Sequence, residues 1–207
     1  HNQFELLRER RFGPFFLTQF LGAANDNLFK FAFTLLATYQ AAQWGGVAPS
    51  MAGFVIGAIF IAPFVLLSAT AGQIADKYEK GRLIRFVKDF EIVVMVIAAA
   101  GFLLRDAWLL YACVFLMGLH STLFGPVKYS YLPQQLKAEE LTGGNGMVEM
   151  GTFVAILLGT IAGGLVVAIQ PSGPVYAGAV AVAVAVAGYL VSRGVPLTPA
   201  VAPELKI

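Results

Sequence analysis

The chain has 207 residues, of which 58% are hydrophobic and only 13% charged, with a mean hydropathy of +0.74 and a formal net charge of +2. A soluble domain averages about 25% charged residues, so this composition excludes an ordinary soluble fold and points to a membrane protein. The single cysteine, Cys113, excludes an intrachain disulfide and any CxxC-type metal site, and its apolar neighbours make it a small packing residue.

Six apolar stretches follow in chain order, at Phe12–Tyr39, Met51–Ala75, Leu83–Leu104, Ala107–Leu132, Gly146–Ile169 and Val175–Ser192. Each approaches or exceeds the ~20 residues that cross ~30 Å of hydrocarbon at 1.5 Å per residue. All six are read as transmembrane helices. The alternating VAVAVAVA in the last could suggest a strand, but a lone strand cannot satisfy its backbone in lipid. The first is too long and too polar in its middle for a cleavable signal peptide, and it lacks an A-x-A site.

Charge fixes the expected orientation. Arg8, Arg10 and Arg11 precede span 1; Lys77, Lys80, Arg82, Arg85 and Lys88 fall at or near the turn between spans 2 and 3; Lys137, Arg193 and Lys206 follow spans 4 and 6. Eleven cations on this side face only Arg105 on the other, which predicts that both termini are cytoplasmic. The expected organisation is a bundle over 1–192 and the start of a cytoplasmic linker over 193–207, where VPLTPAVAPELKI is Pro-rich. A first residue other than Met and this tail suggest a piece of a longer protein.

Span 1 carries Asn25, Asp26 and Asn27 together, with Lys30 one turn on. Asp26 lies near mid-membrane, where a charge costs about 2.5–3.5 kcal/mol on insertion scales. Asp26 and Lys30 share a helical face and can pair. A self-neutralising structural pair is one reading. The two flanking asparagines favour the other, a polar pathway that handles a ligand.

After span 2 comes GQIADKYEKGR, Gly72–Arg82. Gly72 allows close helix approach, Gly81 a tight turn, and Asp76 with Arg82 a charge-assisted latch, with Lys77 inside the pattern. An ordinary basic loop is the alternative. At the end of span 4, HSTLFGPVKYSYLPQQL places Gly125 and Pro126, which soften a helix, before Lys128. Glu149, with Asn145 one turn before it, lies at a similar depth near the start of span 5, so Lys128 and Glu149 are expected to pair. Snorkelling of Lys128 and a purely structural pair remain open. Gly53-xxx-Gly57 and Gly159-xxx-Gly163 are read as packing faces.

The turn GQIADKYEKGR resembles the signature of the major facilitator superfamily, with Lys77 for the usual Arg and one extra residue before Gly81. ILLGTIAGG in span 5 has the glycines but not the proline of the superfamily's antiporter motif, so antiport gains no support. Together, FLGAANDNLFKFAF, GQIADKYEKGR, FGPVKYSYLPQ and NGMVEMGTFVAILLGTIAGG resemble the lysophospholipid transporter branch of that superfamily, across all six spans.

That resemblance implies an all-α fold of two six-helix halves, of which this sequence supplies the first, built from two inverted three-helix repeats. No internal repeat is visible by eye. It further implies transport of lysophospholipids, chiefly the ethanolamine and glycerol forms, from the outer to the inner leaflet of the bacterial inner membrane. An acyltransferase, separate or fused, would then restore the missing chain. For a zwitterionic headgroup, Asp26 would meet the ammonium with help from Asn25 and Asn27. Lys30 and Lys128, the latter beside Glu149, would meet the phosphate. The acyl chain could follow Phe20, Phe29, Phe31 and Phe33, although core packing suits these aromatics better.

The alternative function is a proton-coupled carrier of a small polar solute or drug, with Asp26 or Glu149 titrating. An intramembrane enzyme is disfavoured: HExxH is absent and His120 lacks the Asp of an H-x-x-x-x-D acyltransferase motif. A non-transporting scaffold would not need the cluster at mid-membrane. No GxGxxG or P-loop indicates a nucleotide, and no cofactor, metal or nucleic-acid partner is expected.

Overall fold

The structure is a computed structural model that describes residues 3–207. Among these there is no strand. A short 3-10 turn, Gln3–Arg8, leads into α1 (Gly13–Tyr39), followed by a one-turn α2 (Ala41–Trp44), then α3 (Ala52–Lys77), α4 (Lys80–Leu104), α5 (Ala107–Gln135), α6 (Ala138–Val167) and α7 (Gly173–Ser192). The six long helices coincide with the six expected spans. α6 starts eight residues earlier than its apolar run because Glu140, three residues past Lys137, accepts that residue's backbone N–H at 2.8 Å and starts the helix in polar sequence. The VAVAVAVA segment is helical throughout.

By length and composition, four of the helices (α3, α5, α6 and α7) are long and apolar enough to cross a membrane. α1 and α4 are set apart by polar residues in their interiors, Asn25–Asn27 and Lys30 in one and Lys88, Asp89 and Glu91 in the other.

α1 packs chiefly on α6 and α7, α3 on α5, and α4 on α7 and α5. The triplets α1-α3-α4 and α5-α6-α7 thus use matching contacts: first helix on the other triplet's second, first on third, and third on third. The expected repeat, invisible in sequence, is present in the packing. The α1–α6 seam depends on Gly159 and Gly163, where a Cβ would run into the Ala24 and Leu28 carbonyls of α1. Gly53 and Gly57, read as a second packing face, meet almost nothing: a Cβ on Gly57 would touch no atom within 4 Å. That close approach is made instead by Gly118 of α5 against the Phe60 carbonyl of α3.

At one end of the bundle, Arg11 donates to the Gln135 carbonyl at 2.8 Å and holds Glu140 through two bonds of 2.7 and 2.8 Å. The tail after α7 returns across the same end. Lys80 N–H donates to the Thr198 carbonyl at 3.0 Å, and the Asp76 carbonyl accepts Val201 and Ala202 N–H at 3.0 and 2.9 Å. Thr198 also donates its N–H to Glu79, accepts Gln135 Nε2 at 2.8 Å on its hydroxyl, and is fully buried. The tail is irregular, as its prolines require, yet it is strapped down.

This strap changes the reading of the turn. The described residues contain no Asp76–Arg82 ion pair; Glu79 caps α4 by accepting Gly81 and Arg82 N–H at 2.7 and 2.8 Å. Gly81 lies in the first turn of α4, and its missing side chain admits the Pro196 carbonyl. A Cβ on Gly72 would meet nothing within 4 Å, so no close approach occurs there within this chain. Lys77 ends α3 with its ammonium 5.7 Å from the Tyr78 ring. The expected latch residues are therefore gathered at one turn, but tail backbone rather than a side-chain pair secures it.

Candidate functional site

A cavity of about 400 Å³ opens between α1, α3, α5 and α6, with Lys88 of α4 at its back. Asp26, midway along α1, reaches it; Ser121 of α5 donates to Asp26 Oδ2 at 2.6 Å, while Oδ1 is buried without a partner. Leaving a buried acceptor unsatisfied costs about 1–3 kcal/mol, a cost that a ligand donor would remove.

Lys30, one turn on, forms no ion pair with Asp26. Its ammonium sits 3.5 Å above the centre of the Phe60 ring of α3, a cation–π contact. The self-neutralising pair, the alternative reading of the sequence, is absent: the aromatic face of Phe60 on α3 takes the ammonium instead. Asn27 lines the cavity, but its Nδ2 donates at 2.8 Å to Ala23 O in its own helix.

Asn25 does not reach the cavity. It is fully buried on the opposite side of α1, where Nδ2 donates to Glu91 Oε1 at 2.9 Å and to Ala181 O at 3.0 Å. Consecutive helical residues are about 100° apart, so Asn25, Asp26 and Asn27 cannot share a face.

Lys128 lines the cavity and pairs with Glu149 at 2.8 Å, joining α5 to α6 as the sequence predicts. Tyr129 donates to the same Glu149 oxygen at 3.0 Å. Glu149 is half-exposed and stands outside the lining. Asn145 donates to Leu141 O in its own helix. Phe29 and Phe33 are fully buried against Phe102 and Tyr111, so they are core and offer no acyl-chain track.

Four residues escaped the sequence reading: Lys88, Glu91, His120 and Ser121. The sequence groups Lys88 with the basic turn, but α4 begins at Lys80, which places Lys88 more than two helical turns inward, 1% exposed and paired to Glu91. Ionisable residues at i, i+3 inside an apolar span were the available signal. His120 approaches the same Glu91 carboxylate at 3.1 Å. Lys88 is balanced by Glu91 and Lys128 by Glu149. Asp26 and Lys30 are left as a carboxylate and an ammonium presented separately to one cavity.

The sequence profile of the Major Facilitator Superfamily matches residues 15–206. Curated relatives include proteins named lysophospholipid transporter LplT. The chain is 30% identical to that of Escherichia fergusonii over 80% of this chain and 40% of the relative. It is 30% identical to that of Citrobacter koseri over 84% and 40%, and 31% identical to that of Yersinia enterocolitica over 71% and 33%. The chain therefore spans about 40% of the length of the curated relatives it matches.

Proposed function

We propose that this chain, which belongs to the major facilitator superfamily, forms the first six-helix half of a secondary transporter that moves lysophospholipids from the outer to the inner leaflet of a bacterial inner membrane. The observation that carries the reading is the cavity at the middle of α1, where Asp26 and Lys30 stand apart and unpaired with each other. A phosphoethanolamine headgroup has an ammonium and a phosphate, and can meet the two in turn. A volume of about 400 Å³ falls within the roughly 300–1,000 Å³ of small-molecule sites. That holds a headgroup, while the acyl chain stays on the apolar faces outside.

In this reading all six long helices cross the membrane, the strapped end faces the cytoplasm, and a second half closes the cavity and rocks against the first. Lys128 reinforces the phosphate side when Glu149 releases it. An acyltransferase, separate or in the same polypeptide, takes the delivered lipid. The similarity to proteins named lysophospholipid transporter supports the substrate class.

The test is reconstitution of the full-length chain in proteoliposomes with labelled lysophosphatidylethanolamine in the outer leaflet. Protein-dependent appearance of label in the inner leaflet is expected. Transport of polar solutes with no movement of lysolipid would favour the small-solute carrier instead.

A further inference from the structure

The end of the bundle opposite the tail carries a second recess, about 540 Å³ in volume. Gln40, Gln43 and Trp44 line it from the turn after α1, Arg105 from the end of α4, and Gln170 from the approach to α7. It shares no residue with the cavity around Asp26. Tyr39 of its wall lies about 20 Å beyond Asp26 along α1, at ~1.5 Å per residue.

Two of these residues are held at a disadvantage. Arg105 has a φ of 55° and a ψ of 40°, and is the one non-Gly residue at positive φ among those described. Helices commonly end in this left-handed conformation on Gly, because a Cβ strains it. Trp44 is 1% exposed, and its indole N–H has no partner on the protein. A buried donor without an acceptor is costly, and an acceptor seated in the recess would relieve it.

Charge decides what the recess takes. Arg105 is the only ionised side chain in the lining and the only cation at this end among the described residues. Its neighbour Asp106 is engaged elsewhere, accepting Leu109 N–H at 3.1 Å to cap α5. Arg105 therefore makes no ion pair among the described residues; it donates to the Gln43 side-chain oxygen at 3.0 Å. A guanidinium, three glutamine amides and an indole N–H, with no carboxylate in the lining, suit a singly charged oxyanion.

The surroundings indicate the source of that anion. Leu103 and Leu104, just before Arg105, and Ile169, just before Gln170, are all exposed, as are Tyr39 in the wall and Trp108 beyond it. Apolar faces that end in exposed aromatics mark the depth of lipid headgroups.

We propose that this recess binds the phosphodiester of an anionic lipid headgroup, with Arg105 and the Trp44 indole N–H donating to its oxygens. Water-soluble phosphates share that chemistry but lack the apolar tail that would lie along Leu103, Leu104 and Ile169. The strained Arg105 backbone places a cation where a helix end would otherwise favour Gly. This is a second site, and it does not depend on what the central cavity carries.

The test uses the full-length chain with isotope-labelled tryptophan for NMR in phosphatidylcholine nanodiscs, the Trp44 indole signal being identified by its loss in W44F. Replacing part of the phosphatidylcholine by phosphatidylglycerol should shift that signal saturably. R105G should weaken this binding roughly ten- to a hundredfold, as loss of a charge-assisted bond requires. Its unfolding temperature should stay level or rise, because Gly is at ease at positive φ. Inorganic phosphate and glycerol phosphate in solution should not reproduce the shift. No shift with phosphatidylglycerol, unchanged affinity in R105G, or a lower unfolding temperature in R105G would each overturn the proposal. An equal shift with inorganic phosphate would also overturn it, leaving a site for soluble anions. Failure of the protein to move lysolipid would defeat the transporter reading and leave the outcome at Trp44 standing.

Discussion

Asp26 spends one carboxylate oxygen on Ser121 and keeps the other without a protein partner, while Lys30 rests on Phe60. Asp26→Asn keeps the size and one acceptor but removes the charge that meets an ammonium. Ethanolamine-headgroup transport by the full-length protein should therefore fall by roughly ten- to a hundredfold, the equivalent of about 1.5–3 kcal/mol for a bond to a charged group. Glycerol-headgroup transport should fall less. Because Lys30 does not depend on Asp26 for its contact, the double variant with Lys30→Gln should not repair the loss; equal losses for both headgroups, restored in the double variant, would mark a structural pair. Glu149→Gln makes a separate prediction. Glu149 is half-exposed but Lys128 is largely buried, so removing the carboxylate should cost about 1–3 kcal/mol in thermal unfolding. It frees Lys128, and affinity for anionic headgroups should rise. At this scale the sequence exposed Asp26, Lys30 and the Lys128–Glu149 pair, because charges in apolar runs stand out. It could not place Asn25 behind the helix or Lys88 inside it, since both depend on helix phase and on the helix starting at Lys80.

Helix positions were legible because each apolar run is long and bounded by polar or Gly/Pro residues. Helix faces were less so, since an all-round apolar helix has no stripe that tells lipid from neighbour. The two GxxxG pairs show the difference: identical in pattern, one is jammed against α1 carbonyls and the other faces open space. Gly159→Ala should destabilise the bundle by about 1–3 kcal/mol through overpacking, whereas Gly57→Ala should leave the unfolding temperature of this half unchanged. Equal behaviour of the two variants would contradict the α1–α6 seam. The turn between α3 and α4 invites a similar comparison. Glu79 both caps α4 and accepts the Thr198 N–H, so Glu79→Ala should cost about 0.5–2 kcal/mol locally. Hydrogen exchange should then accelerate at Lys80 and Val201 together; faster exchange at one alone would show that cap and strap are independent.

For the molecule as a whole, matching contacts between the two triplets explain why the repeat is visible in packing and not in sequence. Lipid-facing and neighbour-facing positions both accept almost any apolar residue, so sequence similarity can fade while helix order persists. Residues 1–207 alone are expected to give no leaflet-to-leaflet movement of lysolipid in liposomes, because alternating access needs a second wall. Translocation by the monomeric 207-residue chain would overturn that expectation. Finally, the return of the tail over the α3–α4 turn carries a practical rule for handling the protein. An affinity tag or protease site placed directly after Ser192 would strip the backbone partners of Lys80 and Asp76 and uncover Val195 and Thr198, the buried residues of the strap itself. Moved beyond Ala202, the same insertion would leave every one of these bonds intact.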